Sequence, residues 1–136
     1  MRENMGVYRG KRIYNGEWLE GSLLFYPDVN RAFMSLGRFH KIGDFFEIDK
    51  KTIGQHTNKD DRHGKKVFED DILRFENNDG EYSLYVCRWS DKESGWIVDS
   101  IGQGGYDTLD AFFCENAEVI GNIHDNPELL EVSEDE

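Results

Sequence analysis

Short runs of β-favouring residues recur about every 8 to 15 positions along this chain, and clusters of turn residues separate them. The clearest hairpin signal is Asn15 followed by Gly16, because both residues tolerate the positive φ of a type I′ turn. A second turn is predicted at Pro27, which cannot donate to a strand ladder. Such spacing is typical of small β-barrels and sandwiches. The other predicted strands cover residues 32–36, 45–48, 71–76, 82–89, 96–101 and 118–123.

Helix signals are few. Residues 107–114 predict one or two helical turns, capped by Asp107 or Thr108. A short helix is also predicted after Asn126, since Pro127 suits the first turn of a helix. The side chains of the first helix that are predicted to face inward are Leu109, Phe112 and Phe113.

The predicted fold class is mainly β with minor α. We expect a single domain over residues 1–130, built as a partly open β-barrel or as a two-layer antiparallel β-sheet with short peripheral helices. A chain of 136 residues is long enough to bury one core without covalent staples. Residues 131–136 are acidic and are predicted to fray.

Composition predicts a cytoplasmic protein with reduced thiols. No apolar run approaches the roughly 18 residues that span a membrane, and residues 1–11 lack the apolar core of a signal peptide. Cys87 and Cys114 are isolated and show no CxxC spacing, which indicates neither a disulfide framework nor a zinc site. We therefore expect two reduced, partly buried thiols.

The net charge of −12 is unevenly distributed along the chain. Residues 1–67 hold 13 Lys and Arg against 9 Asp and Glu, a net charge of +4, whereas residues 68–136 hold 3 against 19, a net charge of −16. The acidic part repels phosphate backbones, so nucleic-acid binding is disfavoured there and a basic protein partner is easier to accommodate. Solubility alone would also account for this acidity.

A polar segment within residues 52–73 contains the best candidates for a metal site. His56 and His63 lie there with the carboxylates Asp60, Asp61, Glu69 and Asp71. Their spacing matches no known ligand motif, and a long charged loop ending in the acidic turn 69–71 explains the same composition. We predict no metal and no cofactor.

No catalytic constellation is recognisable in the sequence. Cys87 falls inside a strand-like run, and residues 102–105 lack the Lys-Ser/Thr pair of a phosphate-binding loop. Glu17 and Glu20 flank Trp18, but alternation along a hairpin strand accounts for this spacing. The chain is therefore predicted not to be an enzyme. A binding surface is the remaining hypothesis, and its candidate residues are Trp18, Lys59, Arg62, Lys65, Lys66, Trp89 and Trp96.

Three ordered segments, at residues 8–23, 53–73 and 118–130, resemble the YopX family of small proteins, which are encoded largely by phages and prophages of low-GC Gram-positive bacteria. In the central segment the family commonly has glycine at the positions of Asn58 and Asp70. Asn and Asp visit left-handed conformations more readily than other non-glycine residues, so the turns are expected to survive. The turn and loop residues that match the family motif are Gly54, Thr57, Asp61, Gly64, Glu69 and Asp71.

The resemblance implies a phage or prophage accessory protein. We expect a protein-interaction module in the host cytoplasm that binds a protein partner, with self-association as an option and no membrane contact. Two alternatives remain open at this point. One is a nucleic-acid-binding factor that uses the basic N-terminal half and exposed aromatic residues. The other is a DNA mimic, whose acidic half occupies a host DNA-binding protein.

Overall fold

The computed structural model describes residues 7–36 and 45–131. Within these residues the contacts divide the chain into two compact units, residues 1–56 and residues 57–136. The sheets are antiparallel and most of the described chain is strand, which confirms the prediction of a mainly β fold. The connection predicted over residues 37–44 lies outside the described residues, as does the predicted acidic tail beyond Glu131.

The first unit contains four strands whose pairing closes on itself. They are β1 (Tyr8–Arg12), β2 (Trp18–Tyr26), β3 (Arg31–Ser35) and β4 (Phe45–Asp60), the last of which continues into the second unit. β1 pairs with β2, β2 with β3, β3 with β4, and β1 also pairs with β4. The predicted hairpin is confirmed, but its turn is not type I′, because Gly16 has a positive φ of 74° and Asn15 does not have a positive φ.

The prediction of a long polar loop after residue 52 is wrong in its first half, because β4 remains a strand through Asp60. Burial alternates along this stretch, with Thr52, Gly54 and His56 all buried. Alternation is the mark of a half-buried strand. Here small or polar residues occupy the inward positions, so the segment does not have the hydropathy pattern of a strand.

The second unit contains a five-stranded antiparallel sheet in the order β10 (Ala117–Asn122), β6 (Asp71–Glu76), β7 (Tyr82–Ser90), β8 (Gly95–Ser100) and β9 (Tyr106–Thr108), and β5 (Lys66–Phe68) pairs with β4. The predicted meander of three consecutive strands is confirmed by the pairing of β6 with β7 and of β7 with β8. A 3₁₀ helix with proline in its first turn follows β10, as the sequence predicts. Helix α1 covers Ala111–Glu115, and the 3₁₀ helix covers Pro127–Leu130.

One face of this sheet carries the core of the second unit. Leu73, Cys87 and Val98 are fully buried on β6, β7 and β8, and α1 covers them with Phe113 and Cys114. Burying each such side chain contributes about 1.5 to 3 kcal/mol. The face that supports the core therefore also fixes the position of α1.

Helix α1 begins later than the sequence predicts. Its cap is Asp110, whose Oδ1 accepts a hydrogen bond from the Phe113 backbone N–H at 2.9 Å. Residues 106–108 instead pair with β8 as a short edge strand, which rules out a cap at residue 107 or 108. Phe112 is 67% exposed, so the prediction that it faces inward is wrong, while Phe113 is buried as predicted.

Candidate functional site

Asp61 connects two distant parts of the second unit through its carboxylate. Oδ1 accepts hydrogen bonds from the backbone N–H groups of His63 and Lys65, both at 2.9 Å. Oδ2 accepts a third bond, from the backbone N–H of Val119 on β10, also at 2.9 Å. The side chain thus closes the turn between β4 and β5 and attaches that turn to β10.

Asp61 is 7% exposed, and two opposing effects act on its pKa. Burial is the largest of these and by itself would raise the pKa. The three backbone hydrogen bonds stabilise the charged form and together outweigh burial, so the pKa of the carboxyl lies below its usual value. Asp61 is therefore held as a carboxylate with its oxygens already occupied, an arrangement suited to structure.

The acidic turn is also held by backbone hydrogen bonds. Asp71 is almost fully buried, and its Oδ2 accepts a hydrogen bond from the backbone N–H of Phe68 at 2.7 Å. The carboxylate of Asp70 lies 3.4 Å from Nε2 of His124. The motif residues Asp61 and Asp71 therefore accept hydrogen bonds from backbone N–H groups of other residues, and in this way they position the strands around them.

Asn58 and Asp70 adopt the left-handed conformation that the sequence predicts, with φ values of 67° and 72°. At Asn58 we expect substitution by glycine to leave the free energy of unfolding within about 0.5 kcal/mol of the natural protein. Alanine should lower it by about 1 kcal/mol, because left-handed backbone penalises a Cβ without a polar group. Urea denaturation of both variants measures the difference. Equal stability of the two variants would contradict this reasoning.

Exposed charges surround the turn that Asp61 closes. Arg62 forms an ion pair with Glu76 at 2.8 Å. Glu118 lies 2.8 Å from Arg74 and 3.1 Å from Nε2 of His63. The exposed Arg62–Glu76 pair is of a kind that contributes little to stability. The side chains of Lys59 and Arg62 line an open hollow of about 400 Å³ beside α1.

The histidines and cysteines of the described residues show no metal-binding cluster and no activated thiol. Within residues 7–36 and 45–131, no group of three or more His, Cys, Asp and Glu side chains could hold a metal ion. Cys87 and Cys114 are buried and free, which confirms the prediction of buried thiols. Burial, and then neighbouring carboxylates, raises the pKa of the Cys87 thiol well above its usual value. Burial raises the pKa of Cys114 to about 11. Neither thiol carries the depressed pKa of a nucleophile.

The predicted interaction residues occupy different places. Trp89 and Trp96 face each other across β7 and β8, edge to face, with ring centroids 5.3 Å apart. Trp18 lies in the first unit, where Arg9 Cζ and Lys11 Nζ are 4.8 Å and 5.3 Å from the centre of its ring. Lys65 and Lys66 belong to the turn and strand that follow Asp61, and Gly54 lies within β4 opposite Arg9.

The sequence does not predict the pocket beside α1. The pocket measures about 290 Å³ and lies between the sheet and α1, with aromatic walls and acidic residues around it. Acidic residues just before the Phe112-Phe113 pair are the sequence feature that could have indicated this pocket. The sequence prediction placed both rings in the core, so it left no ring to line a pocket. The residues that line the pocket, called the α1 pocket below, are Phe75, Tyr85, Asp107, Thr108, Asp110, Phe112 and Phe113.

A family model described as YopX protein matches residues 7–131, nearly the whole chain. The chain belongs to the YopX family. Among solved structures, the crystal structure of protein EF1440 from Enterococcus faecalis is similar, with 28% sequence identity and a TM-score of 0.52. The match covers 91% of this YopX-family chain and 96% of the EF1440 chain. No curated protein matches. Across the described residues, no helix is long and apolar enough to cross a membrane.

Proposed function

We propose that this YopX-family protein is a non-enzymatic phage or prophage accessory protein, which binds a protein partner in the host cytoplasm through Trp89 and Trp96. Membership of the family supports the phage or prophage origin, because the family is encoded largely by such elements. The single observation that carries the interaction role is the tryptophan pair on the β7–β8 hairpin.

The tryptophan pair has the properties of an interface anchor. Trp89 is 49% exposed, and its indole Nε1 donates a hydrogen bond to Asp91 Oδ1 at 2.8 Å. That bond and the edge-to-face contact with Trp96 hold the ring in one orientation. A large ring that is already ordered loses little side-chain entropy on binding, and tryptophan is enriched among residues that dominate binding energy.

The charge of the second unit favours a basic partner. Residues 57–136 hold 7 Lys and Arg against 21 Asp and Glu, a net charge of −14. This field attracts cationic surfaces and accelerates their association at low ionic strength. The same charge supports the DNA-mimic alternative, in which the basic partner is a host DNA-binding protein.

The nucleic-acid alternative receives less support. It requires aromatic faces on which bases can stack and cations that neutralise phosphates. In the first unit the ring of Trp18 is already engaged by Arg9 and Lys11. Arg12 likewise lies over Tyr14 and Phe46, with its Cζ 5.1 Å and 4.4 Å from the two ring centres. These cations and rings are arranged to pack on one another.

Replacing Trp89 by serine should abolish most partner binding, since truncating an interface anchor costs about 2 kcal/mol or more, roughly a 30-fold loss of affinity. The measurement is quantitative capture from host lysate at physiological salt with immobilised natural and variant proteins. Tyr14→Ser is the matched control, because Tyr14 is 84% exposed in the first unit. It should capture the same proteins as the natural chain.

Two outcomes would contradict the proposal. One is capture that does not change on Trp89→Ser although the variant melts at the same temperature as the natural protein. The other is binding of labelled DNA or RNA by the pure protein that falls steeply with salt. Light scattering on the same sample gives the mass of the unit that meets the partner and shows whether the chain self-associates.

A further inference from the structure

The α1 pocket is walled by four aromatic rings at well-defined angles. Phe75 stacks on Phe113 with centroids 5.0 Å apart, and Tyr85 meets Phe113 edge to face at 5.1 Å. Phe112 tilts against Phe75 at 6.2 Å and is largely exposed. Strands β6 and β7 and helix α1 each supply at least one ring. The walls are therefore held by the same packing that forms the core of this unit.

Two carboxylates complete the lining of the pocket. Asp107 is exposed on β9, and within the described part of the chain its side chain forms no hydrogen bond or ion pair. Burial first, and then the charge of Asp107, raises the pKa of Tyr85, which indicates that the carboxylate acts on the aromatic wall. Asp110 uses Oδ1 to cap α1. No lysine or arginine is among the described residues that line the pocket.

Aromatic rings combined with carboxylates favour a cation. Ring faces carry negative charge density and attract a cationic group within about 6 Å of the centroid. A guanidinium group is planar, stacks on rings and pairs with carboxylates in a fixed fork geometry. The volume of about 290 Å³ is at the lower end of the range of small-molecule sites, so it suits a single side chain better than a larger ligand.

We propose that the α1 pocket accepts an arginine side chain of the protein partner. This inference deepens the proposed function and rests on it for the source of the arginine. The second unit's charge of −14 favours a basic segment over an apolar or acidic one.

The pocket and the tryptophan pair lie on the same side of the sheet. Every second residue of a strand points to the same face, so Tyr85, Cys87 and Trp89 of β7 share one face of the sheet. Tyr85 and Trp89 are four residues apart, which is about 13 Å along a strand. A partner can therefore contact Trp89 and place an arginine in the α1 pocket from the same side of the sheet, with the buried Cys87 between the two contacts.

The test uses the full chain, labelled with ¹⁵N, and blocked peptides of sequence Gly-Ser-Arg-Ser-Gly and Gly-Ser-Gln-Ser-Gly. We expect the arginine peptide to shift the backbone amide signals of residues 107–113 in a saturable manner, whereas the glutamine peptide does not. Asp107→Asn and Phe112→Ala should each weaken arginine-peptide binding roughly tenfold. Asp28→Asn is the charge-matched control in a turn of the first unit and should bind as the natural chain does.

The outcomes separate this proposal from the function it rests on. Absence of saturable shifts with the arginine peptide, or equal shifts with the glutamine peptide, overturns the arginine site. The arginine site is also overturned if Asp107→Asn and Phe112→Ala capture the partner fully while Trp89→Ser does not capture it. In that case the proposed function stands. Both pocket side chains are exposed, so the variants should fold, and unchanged amide signals outside the pocket verify this.

Discussion

Replacing Asp61 by alanine should lower the free energy of unfolding by about 3 kcal/mol, one of the two largest effects expected in this protein. The substitution leaves three backbone N–H groups, those of His63, Lys65 and Val119, without their acceptor. A buried donor that loses its partner costs about 1 to 3 kcal/mol, and because these three bonds are only partly buried, water recovers part of the sum. The turn and β10 should loosen together, because one side chain joins them.

Urea denaturation followed by tryptophan fluorescence measures this loss, since Trp89 and Trp96 report on the same unit. Asp107→Ala is the matched control: it removes the same charge from an exposed position in the same unit. Exposed substitutions change stability by about 0.5 kcal/mol or less. If the two variants were equally stable, the hydrogen bonds of Asp61 would not have the role assigned to them here.

The same carboxylate sets a pH dependence. The folded-state pKa of Asp61 is lowered, so its contribution to stability is fully present above the ordinary aspartate pKa of about 3.9. The contribution is lost as the pH falls through the lower folded-state value. As the pH falls from 5 toward acid unfolding, the free energy of unfolding of the natural protein should therefore decrease more than that of Asp61→Asn. Urea denaturation of both proteins at each pH measures the difference. Parallel pH profiles of the two proteins would contradict this assignment.

Local signals in the sequence predicted much of the fold. The hairpin at Asn15 and Gly16 depends on turn chemistry within a few residues, and the left-handed conformations of Asn58 and Asp70 depend on the residues themselves. The extension of β4 was missed because its inward positions are Thr52, Gly54 and His56, whose burial hydropathy does not indicate. What stabilises them is the pairing with β1, including the Lys11 N–H bond to Thr52 Oγ1 at 2.8 Å.

The candidate site depended on non-local contacts and was harder to predict. Asp61 was identified as a motif residue, yet its bond to Val119 joins positions 58 residues apart, a relation that no local pattern encodes. The α1 pocket depended on where the helix begins. A start at Asp110 and a start a few residues earlier are similar in capping chemistry, but the earlier start goes with the prediction that Phe112 faces inward, whereas the structure has Phe112 exposed. Pairing of β9 with β8 decides between them.

Gly21→Ala should destabilise the first unit by about 3 kcal/mol, comparable with the loss of Asp61. A Cβ at Gly21 would overlap the backbone carbonyl oxygen of Ser35 on β3, a group that cannot rotate away as a side chain could. β2 is paired on both edges, with β1 and with β3, so it can move aside only by disturbing a ladder. Overpacking of this kind costs about 1 to 3 kcal/mol, and the upper value applies where backbone is the obstacle.

Gly95→Ala provides the matched comparison for Gly21→Ala. Gly95 is the first residue of β8, and the nearest atom to an added Cβ there is 3.8 Å away, an ordinary contact. Alanine there should leave stability unchanged or raise it by up to about 1 kcal/mol, because it restricts the unfolded chain. Urea denaturation of the two variants followed by circular dichroism gives the difference. Equal stabilities would mean that β2 and β3 can separate freely at Ser35, and Gly21 would then have no steric role in the pairing of these strands.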